Sequence, residues 1–238
     1  RNIMRRHIDI TCYLAKQELP FRGHIESAES VNRGNFIECV KLLANYDGIL
    51  SDHLQSTLSD ENKARAGFSG FSNRIQNDLI NSIAAVIKNK IHLEIEQTEY
   101  VAVMIDETPD VSGKEQLCVI LRYFDPSNEV VDRFISFVNV SSNRSAEELT
   151  KIIIEFLVDY KCCKKLIAQT YDGAAVLSSS KNGVQKKVRE TCPDALYVWC
   201  NAHILNLVLS KSCQRIAETK HFFSTVKNLA TFFHTSTK

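Results

Sequence analysis

Two carboxylates, Asp106 and Asp172, are the residues of this chain best placed to do chemistry. Each lies at or just past a short apolar run, VAVMID for the first and LIAQTYD for the second. If those runs are neighbouring parallel strands, both acids fall at one edge of one sheet. Two carboxylates held close together repel unless a cation neutralises them. Mg²⁺ or Mn²⁺, hard ions that take oxygen ligands, would do so. Two such ions about 4 Å apart activate a water or a sugar hydroxyl and stabilise the leaving oxygen in phosphodiester chemistry. A centre of that kind needs a third acid, and nothing downstream of Asp172 is an obvious candidate. The bland reading stands beside this one: Asp106 caps a turn with Thr108 and Pro109, and Asp172 opens a turn at Gly173. Glu107 and Asp110 are weaker ligand candidates. The period of two places Glu107 on the opposite face if the strand continues, and Asp110, after Pro109, reads as a turn residue.

A second constellation lies in WCNAHILNLVL. Cys200 and His203 form a Cys-x-x-His pair, which can give zinc two ligands, but a structural site needs about four. Cys192 and Cys213 do not complete a familiar knuckle. Cys200 then reads as a buried small thiol ending a strand. His203 falls in the first turn of the following helix, near the carboxylate edge. There it would contact phosphate or orient an acid, unless it is a hydrogen-bonded core histidine. Trp199 would stack on a base if exposed, though an aromatic in a strand is more often core. Lys181, Lys186, Lys187 and Arg189 would meet a phosphate backbone or form an ordinary solvated face.

The elements that must position these residues follow from the hydrophobic period. Residues 1–97 read as helical. NFIECVKLLANYDGILSDHL puts Phe36, Val40, Leu43 and Leu50 near one face, with Asn35 and Glu38 spaced as a capping box. Gly67 and Gly70 break the pattern. RIQNDLINSIAAVIKNKIHLEIEQ then carries an apolar stripe of Ile75, Leu79, Ile83, Val86 and Ile87. From residue 98 the period shortens. Strands are expected at 100–106, 115–125 and 129–140, the last two joined by the tight turn DPSN. A helix follows at 145–161, capped near Ser145 with acids in its first turn. Then come a strand at 164–172, a helix at 181–193 ended by Pro193, a short strand at 195–200, and one long helix or two. The order βββαβαβα is the ribonuclease-H-like arrangement. Right-handed crossovers give strand order 3-2-1-4-5, which brings Asp106 and Asp172 together. The expected division is a helical region at 1–97, an incomplete mixed-sheet core at 98–213, and the start of a helical insertion at 214–238.

Bulk properties narrow the field less. The chain has 238 residues, is 44% hydrophobic, and carries a formal net charge of +1, so overall charge gives no support to a dedicated nucleic-acid-binding domain. Charge is uneven, however: residues 151–189 hold eight Lys or Arg against three acids. The eight cysteines are scattered, which argues against a disulfide scaffold and for a reducing, intracellular location. No apolar run approaches the roughly 20 residues that span a bilayer. The first residues, RNIMRR, lack a Met, and the last, HTSTK, form no evident closing element; a piece of a longer polypeptide is expected.

Several blocks in order then resemble the hAT-superfamily transposases, in the DUF4371 group shared with zinc finger MYM-type protein 1-like sequences. They are MIDETPDVSGKEQLCVILRYFD, FVNVSSNRSAEELTKIIIEFL, AQTYDGAAVLSSSKNGVQKKV and ALYVWCNAHILNLVLSKSC, with FRGHIES and NRGNFIECVKLLANYDGILSDHL upstream. The resemblance covers nearly the whole chain. It implies a ribonuclease-H-like core that cuts and joins DNA with an Asp-Asp-Glu triad and Mg²⁺ or Mn²⁺, acting in the nucleus. The first acid corresponds to Asp106, the second to Asp172, and the family's Cys-x-x-His feature to Cys200 and His203, with His203 assisting near the scissile phosphate. The third acid normally follows a large helical insertion. Glu218 comes too early to serve. The DNA-recognising zinc finger and the C-terminal segment through which such proteins form homo-oligomers are absent from these residues. Two blocks depart from the family: DGAAVLSSS stands where DGASNMSG is usual, and Asn201 takes an apolar position. The expectation is a fragment of a hAT-type transposase, or a protein derived from one, inactive as it stands. The alternative is a domesticated, non-enzymatic module that binds DNA, chromatin or protein.

Overall fold

The computed structural model describes residues 1–26, 30–58 and 69–236. The chain divides into two compact units, Arg1–Asn89 and Lys90–Lys238.

The first unit is built from helices α1 (Asn2–Lys16), α2 (Asn35–Ala44), α3 (Gly48–Leu58) and the first part of α4 (Asn73–Gln97). Ile10, Leu14, Phe36, Ile37, Val40, Leu50 and Leu79 form its core. The single helix expected over residues 35–54 is two, because Asp47 caps a new start: its Oδ1 accepts the Leu50 N–H at 3.1 Å. Leu43, expected inside, is 42% exposed. At 100° per residue, the buried arc runs through Phe36, Val40, Ala44 and Ile37, and Leu43 falls on its margin. The expected capping box is not made: Asn35 is the first helical residue and not the cap, and its amide donates to the Pro20 carbonyl at 2.8 Å. Gly34, at φ 97°, is the N-cap of α2, and Glu38 Oε1 accepts the Arg33 N–H at 3.2 Å. Gly34 must be a glycine, since a Cβ there would overlap the backbone of Arg22 and Gly23. Val86 and Ile87 of α4 are exposed rather than part of a buried stripe. The break expected at Gly67 lies outside the described residues.

The second unit takes the last turns of α4 and then β1 (Val101–Pro109), β2 (Glu115–Phe124), β3 (Val130–Asn139), α5 (Ala146–Asp159), β4 (Leu166–Tyr171), α6 (Ala175–Ser178), α7 (Val184–Thr191), β5 (Leu196–Trp199), α8 (Asn201–Arg215) and α9 (Ala217–Ser236). The five strands form one sheet in the order β3-β2-β1-β4-β5. β1 pairs antiparallel with β2, and β2 with β3, while β4 is parallel to both β1 and β5. This is a mixed α/β fold with a ribonuclease-H-like arrangement. Local chemistry sets its joints. Asp125 Oδ1 accepts the Ser127 and Glu129 N–H groups to close the β2–β3 turn. Ser145 Oγ accepts the Glu148 N–H at 3.3 Å to start α5, with Glu147 and Glu148 at the positive end of its dipole. The four-residue α6 was not legible in the sequence.

The sheet has one closed and one open face. Val103 and Ile105 of β1, Leu117, Val119 and Leu121 of β2, Leu149, Ile153 and Leu157 of α5, and Val184 and Val188 of α7 share one core. Burying each such side chain contributes roughly 1.5–3 kcal/mol. The opposite face carries Met104, Asp106, Cys118, Ile120, Phe134 and Phe137, all partly or largely solvent-accessible. Among the described residues, no helix is long and apolar enough to cross a membrane.

Candidate functional site

The open face leads to a cleft at the carboxyl end of β1 and β4. Met104 pairs with Thr170 across the parallel ladder. Two residues further along each chain, Asp106 and Asp172 therefore emerge side by side on the same face. They line a cleft of about 320 Å³ together with Met104, Thr170, Cys200, Ala202, His203 and Asn206. The four residues singled out by type, Asp106, Asp172, Cys200 and His203, thus come together from β1, the end of β4 and the start of α8.

Each acid is held differently. Asp106 does not cap a turn at Thr108 and Pro109, because β1 continues to Pro109 and pairs with Glu115 there. It is exposed while its neighbour Ile105 is buried, and it sits opposite Cys118 of β2. Asp172 does open a turn: its Oδ1 accepts the Ala174 N–H at 2.9 Å. Its backbone carbonyl accepts the Tyr197 hydroxyl at 2.9 Å, and the preceding carbonyl, that of Tyr171, accepts the Cys200 N–H at 2.9 Å. The negative field of the pair is felt nearby. Burial, then Asp106, pushes the Cys118 thiol up; burial, then Asp172 and Cys200, pushes the Tyr197 hydroxyl up.

The other nearby acids are committed elsewhere. Glu107 faces away and pairs with Arg144 at 2.6 Å. Asp110 closes the β1–β2 turn. Its carboxylate accepts the Ser112 hydroxyl, and the Ser112 and Lys114 N–H groups. The Ser112 hydroxyl first, then the Lys114 N–H, hold it down to about 2.

His203 lies in the first turn of α8, and Cys200 is the N-cap of that helix. Cys200 lines the cleft and is only half-buried, so it is not the buried thiol expected at the end of β5. Capping places it one residue beyond the strand. The Trp199 ring is 6.4 Å from that of His203 and is 42% exposed. The basic residues are not brought to this cleft. Lys186, Lys187 and Arg189 are on α7, which packs with α5 on the closed side. Lys187 pairs with Glu147 at 2.9 Å, and Lys186 approaches Glu190 at 3.9 Å. Lys181 lies in the exposed turn before α7. Sequence reasoning missed Thr170 and Asn206. Thr170 is two residues before Asp172, and Asn206 one helical turn after His203, so both periods already pointed to the cleft.

A two-ion centre is not supplied by these side chains. The cleft offers two carboxylates, one already accepting a backbone N–H. Among the described residues, no group of three or more His, Cys, Asp or Glu side chains is placed to hold a metal ion. Glu218 is on α9 and does not line the cleft.

The sheet order, the acid-edged cleft and the helical first unit define a ribonuclease-H-like domain. Residues 1–183 match the family described as "DUF4371: ZMYM1/FAM200, RNase-like domain", and the chain belongs to that family. It is similar to the human protein "52 kDa repressor of the inhibitor of the protein kinase", at 22% identity over 243 residues, covering 99% of this chain and 30% of the relative. The mouse protein of the same name is 22% identical, covering 99% of this chain and 31% of the relative. The chain therefore spans less than a third of the length of these curated relatives. No solved structure matches it.

Proposed function

We propose that this chain is a non-enzymatic binding module made from the ribonuclease-H-like core of a hAT-type transposase, acting in the nucleus on chromatin or its proteins. One observation carries this reading: of the two carboxylates that line the cleft among the described residues, Asp172 already accepts the Ala174 N–H at 2.9 Å, and no group of three or more His, Cys, Asp or Glu side chains is placed there to hold a metal ion. The relatives' printed name, a repressor of an inhibitor, is that of a regulator and agrees with a binding role. Between DNA and protein as the ligand, the side chains favour protein. Among the described residues, no Lys or Arg lines the cleft, and Lys186 and Lys187 face acids of their own surface. A phosphate backbone meets little unpaired positive charge there.

Metal-dependent DNA cleavage is the second reading, favoured by the shared register of Asp106 and Asp172 and by His203 in the same cleft. It requires a third carboxylate from outside the described residues. The two readings separate in one assay. Supercoiled plasmid is incubated in Mg²⁺ or Mn²⁺ with a longer polypeptide that contains this chain, beside its Asp106→Asn and Asp172→Asn variants. The binding-module reading expects nicking no greater than with either variant. Nicking that needs the metal and disappears in both variants would overturn it.

A further inference from the structure

Three thiols gather at the amino ends of β4 and β5, the opposite edge from the cleft. Cys162 and Cys163 join α5 to β4, and Cys163 opens a 3-10 turn at Cys163–Lys165. Cys192 is the C-cap of α7 and leads into β5. β4 and β5 are parallel neighbours, with Ala168 beside Leu196, so the two joints lie next to each other. Adjacent strands run about 4.8 Å apart, within the roughly 4.4–6.8 Å that a disulfide spans between Cα atoms. The side chains meet. Cys162 and Cys192 belong to the core that Cys163 packs against, and the Cys192 thiol donates a hydrogen bond to the Cys163 sulfur. Cys162 and Cys192 are closed to solvent, whereas Cys163 is half-buried. An accessible thiol touching a buried one suits a sulfur that meets an oxidant and a second that resolves it. Among the described residues, no group of three or more His, Cys, Asp or Glu side chains is placed to hold a metal ion, so the chemistry open to this pair is redox.

We propose that Cys163 and Cys192 form a reversible disulfide when a peroxide reaches Cys163, stapling the α5–β4 joint to the α7–β5 joint. The Cys163 sulfur attacks hydrogen peroxide and the O–O bond breaks. Cys163 becomes a sulfenic acid, and the departing hydroxide takes up the thiol proton as water. The Cys192 sulfur then attacks the oxidised sulfur. The S–O bond breaks, the hydroxyl leaves as water with the Cys192 proton, and the S–S bond forms. Two thiols give up two electrons, and one peroxide becomes two waters. Burial makes Cys192 slow toward a reagent in solution, but a thiol held against its target reacts at an effective concentration far above that of a dissolved reagent. Transient disulfides of this kind are the ones that reducing compartments allow, and a dithiol reverses them. The staple bears on β5. The Cys192 N–H donates to the Val188 carbonyl at 2.8 Å, and its own carbonyl accepts the Ala195 N–H at 3.1 Å. From there β5 runs to Trp199, next to Cys200 in the cleft. Oxidation therefore fixes the strand that ends at the cleft. The pairing is independent of the function proposed for that cleft.

A longer polypeptide that contains this chain is reduced, treated with hydrogen peroxide, capped with iodoacetamide and digested. Tandem mass spectrometry should find Cys163 joined to Cys192, two hydrogens lighter than the separate peptides, and dithiothreitol should release the link. Fragmentation of the parent's linked peptide assigns the partners without any variant. The link should be lost in Cys163→Ser and in Cys192→Ser and kept in Cys162→Ser. Amide exchange across residues 184–199 should slow on oxidation and recover on reduction. A link that joins Cys162 to either of the others, or one that survives Cys163→Ser, overturns the proposal. So does a Cys163 that stays reduced or goes on to its sulfinic acid while Cys192 remains a thiol. A link that forms only in urea, or exchange that oxidation leaves unchanged, also overturns it.

Discussion

Gly173 lies directly beneath the Trp199 indole: a Cβ built on Gly173 would be 2.6 Å from Cζ2 and 2.9 Å from Nε1 of that ring. The contact joins the turn opened by Asp172 to the end of β5. With the Tyr197 hydroxyl on the Asp172 carbonyl, it fixes where the second carboxylate stands. Trp199 is the chain's single tryptophan, so its fluorescence reports on this corner alone.

Gly173→Ala should therefore push the indole outward. The expected result is a red-shifted emission maximum and a loss of about 1–3 kcal/mol in denaturant unfolding, the cost of overpacking a closed contact. Gly48→Ala is the control, since nothing lies within 4 Å of a Cβ there. It should change stability by less than about 1 kcal/mol and leave the emission unmoved. An unshifted spectrum for Gly173→Ala would show that the contact does not hold the ring.

His7 makes the first unit sensitive to mild acid. Its ring is fully buried and packs edge-on against Phe36 at 5.6 Å. Burial, then the nearby His53, lowers it to about 4. The unfolded chain binds this proton near the ordinary value of 6.5, and the folded chain does not. Stability is therefore complete above about pH 6.5 and falls as pH drops toward 4, by about 2 kcal/mol at pH 5. His7→Phe should flatten this part of the curve for helices α1–α4. Urea midpoints at pH 7 and 5 measure it, and an equal slope in both proteins would refute the assignment.

The sheet was legible in the sequence because its signals are local and redundant. The change from helical to alternating period, the DPSN turn and the Ser145 cap each fix one element, and connection rules supply the strand order. That order alone brings Asp106 beside Asp172. What stayed hidden depends on contacts between distant residues. Gly173 and Trp199 are separated by α6, α7 and the rest of β5, and no local pattern announces that their chains touch. The break at Asp47 was masked by apolar residues that keep a helical period on both sides of it. Cys200 was read as strand because capping, which made it the first residue outside β5, is a matter of one position. The exposure of Val86 and Ile87 could not be read at all, since an apolar stripe does not say which of its residues a neighbour covers.

Two thiols should be inert in the folded chain. Cys162 and Cys192 are 0% and 1% exposed. Burial first, then neighbouring thiols, pushes each up to about 12. At pH 8 the thiolate, the reacting form, is then about one part in 10⁴. Iodoacetamide at that pH should label the partly exposed Cys12, Cys200 and Cys213 long before Cys162 or Cys192, as mapped by peptide mass spectrometry. In urea all should react. Early labelling of Cys192 would mean that the α7 end opens at low cost.

Glu94 ties the last turn of α4 to the sheet. Its Oε2 accepts the Tyr123 hydroxyl at 2.6 Å and faces Arg133 at 3.3 Å, with Lys90 at 3.6 Å from Oε1. Burial alone would raise this carboxyl, but the Tyr123 hydroxyl, Arg133 and Lys90 together outweigh it and hold it below the ordinary range. A carboxyl lowered on folding stabilises fully above its unfolded value, near 4.5, and the gain is lost as pH falls through the folded one. Glu94→Gln keeps the shape but removes the charge that both cations face. It should cost about 1–3 kcal/mol at pH 7, with the difference from the parent shrinking as the pH is lowered below 4.5. A difference that stays constant across that range would assign the loss to packing and not to the carboxylate.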